Sequence, residues 1–289
     1  MRYLALPLLC SSLHVLAAQA PPPANDHVPI YRITVVQKAL QAVNFERHAG
    51  PTDLDLKGTV LLPKAEGRAT VEVKNGYTKV DLNLKKVGPP TQFGNEFLTY
   101  VLWAITPDGK AINLGQVVPS GSDKANMHVT SPNSTFGLLV TAEPYFSVPY
   151  PSDVVILESA ARPETIGRRE AVEAKYELLP RGQYTLNIQA SQLASANMKK
   201  QPSVSMEQYE AITTLYQARN AIQIARADGA AQTGADTLAK AQGYLDQAEA
   251  AYAQKSYKNM TDLARQAVEA ASDARTIAMR QKSAPGSHQ

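Results

Sequence analysis

Two hydrophobic rhythms divide the chain. Between residues 31 and 188 apolar positions recur every second residue, and between 205 and 281 they recur every third or fourth. The first is the period of a strand with one buried face, the second that of a helix stripe. Leu54, Leu56, Val60 and Leu62 alternate with polar neighbours, and Val80, Leu82 and Leu84 do so against Lys79, Asp81, Asn83 and Lys85. Asn75–Gly76, between these runs, predicts a hairpin, because both residue types tolerate positive φ. Residues 97–105 are apolar on both faces, which predicts a central strand, and Pro107, Asp108 and Gly109 turn the chain after it. Further strands are predicted over 111–118, 127–130, 136–141 and 154–157. Val172, Ala174, Tyr176 and Leu178 alternate again, and Tyr184, Leu186 and Ile188 return after a turn at 180–182. Short strands with frequent turns predict a mainly β, antiparallel, immunoglobulin-like sandwich over residues 30–188. The sole tryptophan, Trp103, sits in the doubly apolar strand and reads as a core anchor.

The second rhythm opens at Ser205, with Gln208 three residues on, a capping box. Ala211, Leu215, Ala218, Ile222 and Ala225 form one stripe, which Asp228–Gly229 ends. Leu238, Ala241, Leu245, Ala248 and Tyr252 form a second; Lys255–Ser256 breaks it, and Ser256 can cap the next helix. Met260, Leu263, Ala264, Ala267, Ala271, Ala274 and Ile277 form a third. This spacing predicts an all-α helical hairpin or three-helix bundle over residues 205–281, separated from the strands by a polar linker at 189–204. Its seams are mostly alanine, which buries little apolar area. Such a bundle is marginal alone and is expected to pack against something. Docking on the sandwich, self-association or a partner helix could supply the burial; self-association or a partner protein is the expected source, because the linker suggests separability, with Leu263, Ala267, Ala271 and Ala274 on the packing surface.

Leu245, Ala248, Ala251–Tyr252, Tyr257, Leu263–Ala264, Ala267 and Ala274 resemble a bacterial family of alanine-rich helical domains of unknown function. The resemblance covers the C-terminal quarter only. It implies a cell-envelope setting, because members occur in envelope proteins, often lipoproteins, and often before a peptidoglycan-binding domain. It implies no catalytic residues. The sequence shows neither a following peptidoglycan-binding domain nor a lipid-attachment motif, so membrane or cell-wall association stays open, with no identifiable anchor.

Arg2 followed by an apolar run to Leu16 reads as a secretory leader, too short to span a bilayer. Small residues at Val15 and Ala17 predict a signal peptide over 1–17, followed by a proline-rich spacer at 18–29. Residues 282–289 are expected to be a disordered tail. The expected location is periplasmic or otherwise exported, with outer-membrane association open. Cys10, the only cysteine, lies in the leader, so thiol and disulfide chemistry is excluded from the mature chain.

A net charge of +3 over 289 residues, with both signs mixed, gives no footprint for nucleic acid. His48 and His128 lack a second histidine or cysteine at metal-ligand spacing, so no metal or cofactor is expected. No phosphate loop, dinucleotide fingerprint or nucleophile elbow occurs. Pro144, Pro149 and Pro151 flank Tyr145, Phe146 and Tyr150, an aromatic loop that either caps the core or serves as a binding surface. The leading reading is therefore an exported, non-enzymatic envelope protein with a helical protein-interaction module. The alternative is a ligand-binding or adhesive sandwich, for a glycan or peptide, with a helical spacer. A hydrolase with a carboxylate pair brought together by folding is the third.

Overall fold

The computed structural model describes residues 38–46, 50–119, 123–160, 169–174 and 205–283. All of them belong to one compact unit. The expected leader, spacer and linker, Cys10, His48 and the predicted strands after residue 174 lie outside these residues.

Ten strands are present among the described residues: β1 (Lys38–Asn44), β2 (Thr52–Gly58), β3 (Glu66–Lys74), β4 (Tyr77–Lys85), β5 (Thr99–Ile105), β6 (Ala111–Pro119), β7 (Lys124–Ser131), β8 (Thr135–Glu143), β9 (Val155–Ala160) and β10 (Arg169–Ala174). The β3–β4 hairpin forms as its sequence predicts, with Lys74 opposite Tyr77. Of the two turn residues only Gly76 takes a positive φ, +89°. Each strand pairs antiparallel with its neighbours, in the order β8-β5-β6-β7-β4-β3-β2-β9. β9 then pairs back onto β8, with Val140 opposite Leu157, and this closes the sheet. β1 joins β8 at Val43–Phe136 and carries β10 on its other side.

The fold is therefore a closed eight-stranded antiparallel barrel, and the immunoglobulin-like sandwich is corrected. Alternation and frequent turns are common to both architectures. A sandwich keeps two sheets with free edges, whereas here β8 bonds to β5 on one side and to β9 on the other.

The alternating residues within the strands point inward, but Val60 and Leu62, expected to continue the alternation, lie in the turn after β2, and Val60 is 92% exposed. Leu54, Leu56, Val80, Leu82, Leu84, Leu102, Phe136 and Leu138 are fully buried and fill the barrel with side chains. Outward positions on β3, β4 and β7 are polar: Arg68, Thr70 and Glu72, then Lys79, Asp81 and Lys85, then Asn126 and His128. That is the reverse of a membrane barrel, which faces lipid with apolar residues and keeps a polar lumen. Among the described residues no helix is long and apolar enough to cross a membrane.

β5 is the exception, buried along its whole length. Tyr100, Leu102 and Ala104 face the barrel interior, and Val101, Trp103 and Ile105 face outward into a second core. Four helices share that second core: α1 (Met206–Ala227), the single turn α2 (Ala230–Thr233), α3 (Ala235–Ala253) and α4 (Tyr257–Ser283). The three long helices coincide with the three predicted stripes. Ser205 caps α1 by accepting a bond from the Gln208 amide at 3.1 Å. α4 packs against both α1 and α3 along buried alanines, including Ala264, Ala267, Ala271 and Ala274.

The expected shortage of burial in this seam is met from within the chain. Val101, Trp103, Ile105, Leu139, Tyr145, Phe146 and Val148 belong to the same core as the helix alanines. Small residues let the helices approach closely, and large barrel residues supply the area, each worth about 1.5–3 kcal/mol when fully buried.

Candidate functional site

Polar groups concentrate where the helices meet the barrel, and β8 and its following loop organise them. β8 runs apolar from Phe136 to Val140 and then ends in Thr141, Ala142 and Glu143, the last fully buried. Strand alternation turns Thr141 and Glu143 outward, opposite Val101 and Thr99 of β5. The Trp103 indole N–H donates to Thr141 Oγ1 at 2.8 Å. The Thr141 hydroxyl in turn donates to Glu143 Oε1. The Ser152 amide donates to the same oxygen at 2.7 Å. Glu143 Oε2 is buried with no partner. Burial outweighs the help from Thr141, Ser152 and Arg275 and pushes the carboxyl up to about 8, so Glu143 is largely protonated at neutral pH.

The loop after β8 is held from three sides. Asn113 sits at the β5–β6 register shift and donates to the carbonyls of Phe146 and Val148, both at 2.9 Å. From α1, Asn220 donates to the carbonyls of Glu96 at 3.2 Å and Pro144 at 3.4 Å. From α4, Ser272 donates to the Ser147 carbonyl at 2.6 Å. Arg265 lies over the Phe146 ring, 5.3 Å from its centroid.

Arg275 of α4 completes the cluster. Its Nε donates to Asp228 Oδ2 at 2.6 Å and its Nη1 to the Tyr145 hydroxyl at 3.1 Å. Asp228 follows the C-terminus of α1, where the helix dipole disfavours a carboxylate, and the guanidinium offsets this. Burial pulls the arginine down, but Tyr145 and Asp228 outweigh it and hold it above its ordinary value. Burial also raises the Tyr145 phenol. The Gln217 side chain on α1 is buried with both amide atoms unpartnered.

The expected interaction residues divide between this seam and the surface. Tyr145 and Phe146 lie beneath the helices, while Tyr150 is 47% exposed. Ala267, Ala271 and Ala274 are fully buried in the helix seam, and Leu263 is half-buried against it. Glu143, Thr141, Asn220, Asp228 and Arg275 escaped the sequence reading. The available signals were one acid closing an apolar strand and one arginine within the stripe of Ala271, Ala274 and Ala278. His128 stands on the outer face of β7 with its Nδ1 2.6 Å from Asp81 Oδ1, a solvated pair. Bonds from His128 and then Lys79 hold Asp81 below its usual range. Among the described residues no His, Cys, Asp and Glu group could hold a metal ion.

Two indentations lie elsewhere. A shallow groove, partly open to solvent, with a cavity volume of only about 30 Å³, runs between the start of α1 and β5–β6, lined by Leu98, Tyr100, Val117, Met206 and Tyr209. A polar, open crevice of about 470 Å³ lies between the turns at Asp108 and Asn133.

Fold and site together define a filled antiparallel barrel carrying a docked helical layer. The chain matches no protein-family model, no curated protein and no solved structure.

Proposed function

We propose that the chain is an exported, non-enzymatic envelope protein in which the barrel is a rigid base and the helical layer makes protein contacts. The observation that carries this reading is where the side chains are committed. Apolar residues fill the barrel, and Asn220, Ser272 and Arg275 of the helices are bonded to the barrel side across the seam. The outer surface is then what the molecule offers to others. The apolar start of the chain supports export, and the resemblance of α3 and α4 to alanine-rich envelope domains supports the setting. With Tyr145 and Phe146 beneath the helices, the proline–aromatic loop offers only Tyr150 as an exposed aromatic, which weighs against an adhesive loop.

The test is cross-linking in intact cells together with N-terminal mass spectrometry of the native protein. A chain cleaved near Ala17, with cross-links from exposed positions of α3 such as Lys240, is the expected result. A chain that retains Met1 and is recovered from the cytoplasm would overturn the export reading.

A further inference from the structure

We propose that Glu143 is a proton-operated latch: its neutral form holds α1 and α4 on the barrel, and its ionisation loosens them. The proposal rests on the position of the carboxyl. It stands on the outer face of β8, inside the core shared by the barrel and the helices, with no solvent exposure. One oxygen accepts two hydrogen bonds, and the other is buried without a partner. A neutral acid leaves only an unbonded hydroxyl there, the smaller cost. A carboxylate would place a full charge on an oxygen that nothing bonds.

The surroundings cannot readily absorb that charge. From the loop after β8 the neighbouring groups are Ser152 and the Tyr145 phenol, and from β5 they are Thr99 and, through Thr141, Trp103. α1 brings no cation to this seam: its buried polar residues Asn220 and Gln217 are neutral, and the Asp228 carboxylate at its end bonds Arg275. α4 contributes Arg275, among the described residues the one cation whose field reaches Glu143, and it is already bonded to Asp228 and Tyr145. Asp153 beside Ser152 has an interaction of its own, and the Glu96 carboxylate folds back over Gly94. Ionisation therefore favours any opening that lets water reach the carboxylate, and separating the helices from β8 is the opening the layered architecture provides.

The sign follows from the raised value. An acid held near 8 when docked and near 4.5 when exposed docks most strongly below pH 4.5. Docking then weakens about tenfold per pH unit until about pH 8, and levels off above it, where both states are ionised.

The experiment is amide exchange on the full chain from acidic to alkaline pH, corrected for intrinsic rates, read beside Trp103 emission. The sole tryptophan is a built-in reporter, because it bonds Thr141 and Thr141 bonds Glu143. Protection in α1 and α4 should fall about tenfold per pH unit and level near pH 8, with β3 and β4 holding theirs. Trp103 emission should shift with a midpoint near pH 8. In Glu143→Gln, a neutral side chain of the same shape, both dependences should vanish. Flat protection in α1 and α4 of the wild-type protein would overturn the proposal. So would a parallel loss in β3 and β4, which would mean that the proton governs global stability alone. Unchanged pH dependence in the glutamine variant would overturn it as well. The first two outcomes are read on the wild-type chain, so they decide the matter even if the variant fails to fold.

Discussion

Replacing Trp103 with alanine tests the central claim of the fold, that one strand serves two cores. The indole is fully buried among the helices and outer barrel residues, and its N–H bonds Thr141. A buried tryptophan removes about 150–250 Å² from water. At about 25 cal/mol per Å² that corresponds to about 4–6 kcal/mol, of which the remaining methyl keeps a part. The lost hydrogen bond adds about 1 kcal/mol. Thr141 still donates to Glu143, so no charge is orphaned. The expected loss is about 4–5 kcal/mol, within the usual range for deleting a large core aromatic. Urea unfolding followed by far-ultraviolet circular dichroism measures it, since the fluorescent reporter is gone. Exchange protection in α1 and α4 should suffer more than in β3 and β4. Leu102→Ala, one residue earlier and facing the barrel interior, should cost about 2–5 kcal/mol with the opposite bias. A loss below about 1 kcal/mol for Trp103→Ala would refute its burial. If the two variants exchanged their regional effects, β5 would be misregistered by one residue.

Three further outcomes rest on the same packing. Arg275→Met should cost about 2–4 kcal/mol in thermal denaturation, somewhat less than a wholly buried pair because the Asp228 side chain is 18% exposed. Arg275→Lys should recover only part of this loss, since an ammonium lacks the fork that reaches Asp228 and Tyr145 together. At Gly67 an added Cβ would lie 2.6 Å from a Leu84 methyl and 3.0 Å from Leu56 Cβ, so Gly67→Val should lower the urea midpoint by the equivalent of about 1–3 kcal/mol. Residues 205–281 expressed alone should show weak helicity and recover it when mixed with a fragment covering residues 35–204. Full helicity of a monomeric peptide would show that the alanine seam needs no barrel.

The local elements were legible because their causes are local. The Asn75–Gly76 turn, the doubly apolar run 97–105, the Ser205 cap and three of the helices arise from residues within a few positions of one another. Two-sided burial of β5 was legible too, but what covered its second face was not. The sequence predicts a central strand with two apolar faces, and the tertiary structure decides that the chain's own helices cover the second.

Barrel closure lies beyond any local reading. Period-two alternation says which residues point one way, and is indifferent to whether the sheet stays open, stacks or closes. Closure depends on β8 bonding two neighbours at once, and on twist accumulated over eight strands. The candidate site is harder still. Arg275 meets Tyr145 across 130 positions, and Ser272 meets Ser147 across 125. Read alone, Glu143 is an acid at the end of a strand and Arg275 a cation on a helix, each expected in water. By itself the sequence determined the periods, the turns and the alanine seam, which are set by neighbours along the chain. Only the tertiary structure brought the helices onto β5 and β8, and that contact removes Glu143 and Arg275 from water and makes their charges consequential.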